Sequence, residues 1–419
     1  DYEAASSPTI RRVLRVVKEF IQNNRVLCYG GTAINNLLPA KDRFYDPNYD
    51  IPDYDFYSET PQLHAMKLAD IFHGMGFKSV EVKPGSHLLT YKVFVDYTGV
   101  ADITFLEPPI FKLLWNENVV VDKIHYVTPN FLRMSMYLEL SRPRGDVSRW
   151  TKVYKRLMLL NAVYPVGCKK ELEIKNDELS DQSRDDIENL LRNKQVILLG
   201  LHAKKLHSKT KKNTCQLPIY ILVTPENFQS YTDMFGDVFE KETTILEHPA
   251  YAELLPKHAD IIEKESGVLL VRVFETMACH SFHELSNGIR VASIPTLLQF
   301  FFAFVYASAH YLEGFDEDRI ICIAQRLLDL AHKSKGRRFE ILTPLECLGK
   351  QESLVDIKEH TSQLKASVKK DSLDFLKFFF TYKPSEVTKT QKASLRKRLH
   401  KTMKRLPSVV DELVVDHEV

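Results

Sequence analysis

The sequence predicts an α/β (α+β) protein with two similar lobes, the second of them degenerate, followed by a helical C-terminal region. Three observations predict this: an apolar strand, a Gly-Gly turn and a helix in succession near the start, a weaker copy of that order in the second half, and helical patterns after residue 312. The chain has 419 residues, enough for roughly two to four domains. With 44% hydrophobic and 27% charged residues, its composition is that of a globular protein.

Changes in pattern divide the chain into five regions. We predict, in order, an N-terminal helix at 1–24, a first sheet domain at 25–128, a helical lobe at 129–190, a second sheet domain at 191–312, and a helical region with a basic tail at 313–419.

The most apolar stretch, 294–309, is interrupted by polar residues such as Gln299 and is shorter than the roughly 18 apolar residues that a membrane span needs. It predicts a buried helix, and we expect no membrane partner.

The elements of the first lobe follow from local signals. Ser7 and Pro8 begin an amphipathic helix, because a cap and a first-turn proline precede apolar residues at helical spacing. A short strand at 25–29 leads into a glycine turn and a helix at 30–38. Polar and apolar residues then alternate at 52–58, which predicts a half-buried strand.

The rest of the first lobe is predicted in the same way. A helix at 62–73 ends at glycines, and strands at 88–96 and 100–106 follow, with a hairpin turn at Thr98-Gly99. From Pro129 the pattern becomes helical.

Three short segments of the second half resemble segments of the first. Their sequences at 195–200, 217–224 and 268–275 align with those at 25–30, 51–58 and 100–107. On this alignment three acids of the first half fall on apolar residues of the second: Asp53 on Ile219, Asp55 on Ile221, and Asp102 on Leu270. The second lobe is therefore predicted to keep the strands and to lose the acids.

Those three acids form the candidate site. Asp53 and Asp55 are two residues apart, so an extended chain directs both carboxylates to one face. Asp102 shares that face with Thr104 in a later strand, whereas Asp96, the competing third acid, suits a turn. Hard divalent cations such as Mg²⁺ prefer oxygen ligands, and the glycine turn before the helix presents backbone N–H groups to phosphate. The combination predicts a metal and phosphate site, although a D-x-D pair alone also occurs as two solvent-facing acids.

The wider motifs add a resemblance. The strings YGGTAINN at 29–36, IPDYDFYS at 51–58 and FLRMSMYLELSRPRGDVSRW at 131–150 resemble the poly(A) polymerase catalytic subunit of large DNA viruses, within the DNA polymerase β-like nucleotidyltransferase superfamily. The resemblance is strong over 25–165 and weaker beyond. It implies a nucleotidyltransferase fold in both lobes, with a catalytically inactive second lobe.

The resemblance also implies residue roles. Asp53, Asp55 and Asp102 would be catalytic and hold two Mg²⁺ (or Mn²⁺) ions, with Asp102 on only one of them. Residues at the turn, Gly30, Gly31 and Thr32, would contact the triphosphate of ATP; the superfamily often has serine where Gly31 stands, which leaves one phosphate contact open.

The predicted helix 149–160 carries a basic stripe that offers a second ATP contact: Arg149, Lys152, Lys155 and Arg156. Lys152 or Lys155 would reach the triphosphate, as a lysine of the helical lobe does in the enzymes that the chain resembles; a solvated helix face is the alternative.

Two basic segments are candidates for RNA. Between Lys383 and Arg405 nine Lys or Arg residues accompany one acid, Glu386, and a smaller run lies at 204–212. Phosphate contacts of this kind provide affinity without sequence readout, although a partner protein or a solvated helix would suit them equally. The RNA-binding candidates are Arg396, Lys397, Arg398, Lys401, Lys404 and Arg405.

Other site classes find little support. The six cysteines are far apart and lack C-x-x-C spacing, which predicts reduced thiols and excludes a zinc ribbon. His280 and His283 have helical metal-ligand spacing but lack a second pair. The sequence contains neither a G-x-S-x-G nor a Walker-type motif.

We therefore expect an enzyme that adds AMP from ATP to the 3′ end of mRNA without a template. The alternatives are another terminal nucleotidyltransferase, CCA-adding or oligoadenylate-forming, and a non-catalytic RNA-binding or processivity subunit. The resemblance implies ATP and an RNA 3′ end as substrates, a homodimer or a viral processivity subunit as assembly, and the host cytoplasm and virion as location.

Overall fold

The computed structural model describes residues 5–169, 179–207, 217–307, 317–336, 339–342 and 345–403. These residues form two compact units. The first runs up to Thr128 and resumes at Glu352, and the second spans Pro129–Gln351. The C-terminal region predicted at 313–419 is divided between the two, because the chain around Tyr382 returns to pair with the sheet of the first unit.

The helices confirm the α part of the predicted fold class. They are α1 (Pro8–Asn23), α2 (Gly30–Leu37), α3 (Pro61–Gly74), α4 (Pro108–Asn116), α5 (Pro129–Leu140), α6 (Trp150–Val163), α7 (Asp181–Asn193), α8 (Gly200–His207), α9 (Phe228–Asp237), α10 (Ile294–Ala307), α11 (Glu317–Lys333), α12 (Leu354–Ser367), α13 (Leu373–Phe378) and α14 (Lys389–Met403).

The strands form two mixed sheets, one in each unit. They are β1 (Leu27–Tyr29), β2 (Asp55–Ser58), β3 (Val80–Pro84), β4 (Thr90–Val95), β5 (Thr98–Phe105), β6 (Val119–Val121), β7 (Ile124–Tyr126), β8 (Val196–Leu199), β9 (Ile219–Val223), β10 (Thr243–His248), β11 (His258–Glu263), β12 (Leu269–Glu275), β13 (His280–Glu284), β14 (Arg290–Ala292) and β15 (Glu346–Leu348).

The first sheet has seven strands in the order β3-β4-β5-β2-β1-β7-β6. Its central strand β2 is antiparallel to β1 and parallel to β5. The D-x-D segment leads into β2 and therefore lies at the middle of the sheet.

The predicted N-terminal helix is confirmed as α1: the Ser7 side chain accepts a hydrogen bond from the backbone of Ile10 at 3.5 Å, and the apolar face of the helix is buried.

The hairpin between β4 and β5 turns earlier than the sequence predicted. Asp96 and Tyr97 form the turn, with φ angles of 47° and 67°, whereas Thr98 and Gly99 belong to β5. Two-residue hairpins of this kind need two positive φ angles, which aspartate tolerates better than most residues. Asp96, which was expected just before the turn, is therefore part of it.

The second sheet has eight strands in the order β10-β11-β12-β9-β8-β14-β13-β15. Strands β8, β9, β12, β11 and β10 pair in the same directions as β1, β2, β5, β4 and β3, and β14 runs parallel to β8 as β7 does to β1. The predicted repeat of the fold is confirmed. The apolar stretch forms α10, a buried helix as predicted, and none of the described helices is long and apolar enough to cross a membrane.

The register of the two sheets corrects the predicted alignment. The last residue of β1 pairs with Asp55, and the last residue of β8 pairs with Tyr220, so Asp55 corresponds to Tyr220 and not to Ile221. Asp53, two residues earlier, corresponds to Pro218. Strand β9 is buried at every position, and without alternation the apolar pattern did not define the register.

The third acid is corrected as well. Asp55 pairs with Asp102 between β2 and β5, and Tyr220 pairs with Arg272 between β9 and β12. Asp102 therefore corresponds to Arg272 and not to Leu270. The second lobe does lack the three acids, but a buried cation stands where an apolar residue was expected.

The expectation of reduced thiols is wrong for four of the six cysteines. Cys168 is bonded to Cys322, and Cys279 to Cys347, with Cα atoms 4.6 and 5.1 Å apart. The members of each pair are 154 and 68 residues apart in sequence, so their proximity depends on the tertiary fold. Cys28 is a buried free thiol.

Candidate active site

The three predicted acids meet at one place on the first sheet. Each of Asp53, Asp55 and Asp102 offers a carboxylate oxygen that lies within 4.8 Å of the other two. The parallel pairing of Asp55 with Asp102 sets two of them side by side, and Asp53 precedes β2 by two residues. Among the residues that the structure describes, this is the one group of His, Cys, Asp and Glu side chains placed to hold a metal.

The glycine turn fits closely against these acids. Gly30 has a φ angle of 77°, and a Cβ atom at this position would lie 2.9 Å from Oδ2 of Asp55. Both the backbone angle and the space therefore favour glycine. Gly31 and Thr32 follow in the first turn of α2, where the N-cap residue provides no side-chain hydrogen bond, so the helix N-terminus faces the acids with its amide groups uncapped by a side chain.

Thr32 has a partner other than the one predicted for it. Its side chain is buried, and its hydroxyl donates a hydrogen bond to the backbone carbonyl of Asp53 at 2.7 Å. The hydroxyl therefore holds the D-x-D segment against α2. The triphosphate contacts predicted for Gly30, Gly31 and Thr32 remain predictions.

Burial and like charge raise the pKa of Asp55 and Asp102. The pKa of Asp55 is raised to about 7, first by burial and then by the neighbouring charges of Asp53 and Asp102. Burial also raises the pKa of Asp102, against the opposing effect of Lys92. Three carboxylates that repel one another in this way fit a divalent cation, whose charge would remove the repulsion.

We expect metal affinity at this site to increase with pH up to about 7. Below its pKa of about 7 Asp55 carries a proton, which a metal must displace. Each decrease of one pH unit therefore lowers the metal affinity about tenfold. Titration calorimetry with Mn²⁺ across this range measures the profile. Asp55→Asn is the control and is expected to bind weakly with a flat profile; a flat profile in the unsubstituted protein would contradict the prediction.

The sequence did not single out Lys92. This residue pairs with Asp102 across β4 and β5, and Nζ of Lys92 lies 3.3 Å from Oδ2 of Asp102. It therefore neutralises part of the charge of the acids in the absence of metal. The alternation of polar and apolar residues in β4 could have indicated its position, because Lys92 is a polar residue between the buried Tyr91 and Val93.

Two aromatic rings adjoin the acids. Tyr29 and Tyr57 stack with ring centroids 3.8 Å apart, and the hydroxyl of Tyr29 lies 2.9 Å from that of Thr104. Tyr57 and Thr104 share the face of Asp55 and Asp102, because each is two residues further along its strand. The acids therefore stand next to a flat aromatic surface.

The predicted lysines of the helical lobe lie in the second unit. Lys152 and Lys155 are exposed on α6, whose opposite face buries Val153 and Leu157. Arg149, the first residue of the predicted stripe, forms an ion pair with Glu139 at 2.9 Å. The ATP contact remains a prediction for both lysines.

The structure separates the predicted RNA-binding residues into groups. On α14, Arg396, Lys397 and Lys401 are exposed, whereas Arg398 is half-buried and donates a hydrogen bond to the backbone of Asp371 at 3.0 Å. Lys404 and Arg405 lie outside the described residues, as do Lys209, Lys211 and Lys212. In the smaller run Lys204 is half-buried, and burial lowers its pKa.

The histidine pair does not form a metal site with other described ligands. His280 is fully buried beside the ring of Phe300, and burial lowers its pKa to about 3. It lies in a strand, β13, and not in a helix as its spacing suggested.

The second sheet carries a charge-inverted version of the acid site. At the positions of Asp102 and Lys92 stand Arg272 and Asp260, which form a buried bidentate ion pair with distances of 2.6 and 2.9 Å. Arg272 also donates a hydrogen bond to the hydroxyl of Tyr220 at 2.6 Å, and His248 lies 3.0 Å from Asp260. In the second sheet the positive charge beside the carboxylate is therefore provided by the guanidinium of Arg272.

The glycine turn is also present in the second sheet, but a different side chain occupies the space beside the glycine. Gly200 has a φ angle of 72°, close to that of Gly30, and a Cβ atom there would lie 3.0 Å from the side chain of Tyr220. An aromatic ring therefore fills the space that a carboxylate occupies in the first sheet. The backbone conformation of the turn is thus the same in both sheets, whereas the carboxylate beside it is replaced by an aromatic ring.

The comparisons with known proteins agree with the geometry. Residues 15–146 match the family described as the poly(A) polymerase catalytic subunit. The predicted resemblance is confirmed. All three acids and the glycine turn lie inside the matched segment.

Two curated relatives and one solved structure extend the comparison. The "Putative poly(A) polymerase catalytic subunit" of Acanthamoeba polyphaga mimivirus is 33% identical over 166 residues, which are 38% of this chain and 28% of that protein. The protein of the same name from African swine fever virus (strain Badajoz 1971 Vero-adapted) is 28% identical over 283 residues, 65% of this chain and 56% of that protein. The chain thus spans about a quarter to about half of the length of these relatives.

The solved structure shows the fold. The Megavirus polyadenylate synthase has a TM-score of 0.78 with this chain, is 20% identical to it, and is matched over 96% of this chain and 86% of the other. The predicted two-lobed nucleotidyltransferase-like architecture is therefore confirmed across almost the whole chain.

Proposed function

We propose that this protein is a poly(A) polymerase that transfers AMP from ATP to the 3′-hydroxyl of RNA without a template. The observation that supports it most is the group of three carboxylates within 4.8 Å of one another beside the Gly30 turn, in a segment that matches the poly(A) polymerase catalytic subunit family.

The chemistry follows from what these residues do. Two divalent ions held by Asp53, Asp55 and Asp102 would activate the 3′-hydroxyl and neutralise the triphosphate. Lys92 offsets the charge of Asp102 before the metal binds, and Thr32 holds the backbone of Asp53 in place. The amide groups at the start of α2 offer hydrogen bonds to phosphate oxygens. The protein thus positions the reactants and compensates charge.

Partners and location belong to the same proposal. The matched relatives are proteins of large DNA viruses, which supports the viral factory in the host cytoplasm and the virion as location. Assembly as a homodimer, or with a separate viral processivity subunit, follows from the resemblance and is measurable by light scattering of the purified chain.

Primer extension tests the proposal. A labelled RNA is incubated with Mg²⁺ or Mn²⁺ and with each nucleoside triphosphate separately, and the products are resolved on a sequencing gel. We expect long tails with ATP alone. A few additions of any nucleotide would favour another terminal transferase, and RNA binding without any extension would favour a non-catalytic subunit; either result would contradict the proposal.

A further inference from the structure

The basic helix α14 is fixed to the catalytic unit and does not form an independent tail. Its buried side includes Leu399 and Thr402, and Lys392 forms an ion pair with Asp70 of α3. Asp70 also accepts a hydrogen bond from the hydroxyl of Tyr382 at 2.6 Å. Anything that binds the outer side of α14 is therefore held at a constant position relative to the acids.

The outer side of α14 is strongly positive. Four basic residues at helical spacing are exposed there, and α14 contains no acidic residue. We refer to them as the basic face of α14: Lys389, Arg396, Lys397 and Lys401. Exposed cations aligned along one helix fit a polyanion with regularly spaced charges.

This helix lies on the opposite side of the sheet from the acids. Lys92 shares the acid face of β4, and the neighbouring Tyr91 points the other way. The hydroxyl of Tyr91 is bonded to the backbone of Lys377 in α13 and, at 2.9 Å, to Gln62 in α3. Helices α3 and α13 therefore cover the face away from the acids, and α14 packs against both.

A row of side chains connects the acids to the edge of the sheet. Lys83, Lys92, Asp102 and Asp55 are successive partners across β3, β4, β5 and β2, so all four project from the same face. The side chain of Lys83 is 52% exposed on β3, the outermost strand on this side. Two lysines thus lead from the acids to the edge at β3. Each has an acidic partner in the protein itself: Lys92 pairs with Asp102, and Nζ of Lys83 lies 3.2 Å from Oε2 of Glu81.

The chain that leads to α14 crosses that same edge. Val82 of β3 exchanges two backbone hydrogen bonds with Tyr382, at 2.8 and 3.1 Å, and α14 begins seven residues after Tyr382. Lys83, next to Val82, therefore stands where the acid face and the helix-covered face meet. Lysine side chains are therefore present on the acid face and at the edge, and the basic residues of α14 follow.

We propose that the upstream part of the RNA passes from the acids over Lys92 and Lys83, around the edge at β3, and onto the basic face of α14. This rests on the proposed function for the RNA 3′ end at the acids. That route crosses two strand spacings of about 5 Å each and then passes around two packed layers of about 10 Å each, and a strand that advances about 3.4 Å per nucleotide spans roughly 30 Å in about nine nucleotides. The basic face of α14 binds nucleotides upstream of that distance.

The test compares primers of two lengths with the same 3′ sequence. One has about six nucleotides, and the other has about 25, longer than the roughly 16 that a single-strand binding site covers. The variant is Arg396→Gln/Lys397→Gln/Lys401→Gln. The matched control, Lys41→Gln/Lys112→Gln/Lys123→Gln, removes three exposed cations of the same unit.

For the α14 variant we expect the KM of the long primer to increase about tenfold or more, with the KM of the short primer and kcat unchanged. The salt dependence of long-primer affinity, measured by fluorescence anisotropy, should weaken by about two in log–log slope, because each phosphate contact to a single strand contributes about 0.7. The control variant should match the unsubstituted protein in both measurements.

Two results would contradict the proposed RNA path from the acids to the basic face of α14. Equal effects on both primers would place α14 at the 3′ end or in the fold, and no effect on the long primer would assign the basic face to another partner such as an acidic protein. Fluorescence anisotropy needs no catalysis, so it tests RNA binding to the basic face of α14 even if the protein extends no primer. Failure of the proposed activity is therefore distinguishable from failure of the proposed RNA path.

Discussion

Asp55→Asn is expected to lower kcat for nucleotide addition by about 1000-fold or more, equivalent to about 4 kcal/mol of transition-state stabilisation. Asp55 lies between the other two acids of the cluster, paired with Asp102 and two residues from Asp53. Asparagine keeps the shape of the side chain and removes the anionic ligand. Single-turnover primer extension at saturating RNA measures the loss.

The same variant is expected to be more stable than the unsubstituted protein when no metal is present and the pH is high. The pKa of Asp55 is raised to about 7 in the folded state, so this group stabilises the fold below its unfolded pKa of about 4 and loses that contribution as the pH increases through 7. Thermal unfolding at about pH 8 with a chelator should therefore show a higher Tm for Asp55→Asn, and the difference should disappear near pH 4.

Asp371→Asn provides the matched control, because Asp371 is exposed in the same unit. It should change neither kcat nor Tm. RNA affinity should be retained in both variants, since the phosphate contacts lie elsewhere. Extension by Asp55→Asn within tenfold of the unsubstituted rate would contradict the assignment of the acids.

Arg272→Met is expected to destabilise the second unit by about 3–5 kcal/mol, or roughly 10 °C in Tm. The substitution leaves the carboxylate of Asp260, which is 3% exposed, buried without its bidentate partner. Burial alone would lower the pKa of Arg272, but Tyr220 and Asp260 outweigh it and raise that pKa. The guanidinium is therefore charged at every accessible pH.

The double variant Arg272→Met/Asp260→Leu should recover much of the loss, because replacing both members of a buried ion pair by apolar residues is often neutral. Lys264→Met is the surface control: Lys264 and Glu242 are 2.8 Å apart but exposed, and such pairs contribute less than about 1 kcal/mol. Calorimetry of the full chain, with and without chelator, measures all three. A Tm of Arg272→Met within about 2 °C of the unsubstituted protein would show that the ion pair is not structural.

The charge inversion is the reason that we expect the two copies of the fold to respond differently to metal. In the first sheet Asp102 faces Lys92, a half-exposed cation that a metal can displace. In the second sheet Asp260 and Arg272 exchange these signs and are both buried. The first site is expected to depend on an external cation, and the second is expected to be indifferent to chelator.

The chemistry of the candidate site was predictable because it depends on local order. Asp53 and Asp55 share a face since an extended chain alternates every two residues, and Gly30 begins a helix at the end of a strand whatever the rest of the fold does. Asp102 could be chosen over Asp96 because Asp96 stands beside Thr98 and Gly99, which predict a hairpin turn.

The sequence by itself thus determined the fold class, the repeat and the three acids, since these are expressed as short-range periodicity and spacing. Only the tertiary structure decided the disulfide pairs, the ion pair of Asp260 with Arg272, and the return of the C-terminal segment to the first sheet through Tyr382. Each of these joins residues that are distant in sequence, and in strands buried along their whole length, such as β9, the apolar pattern is the same in every register.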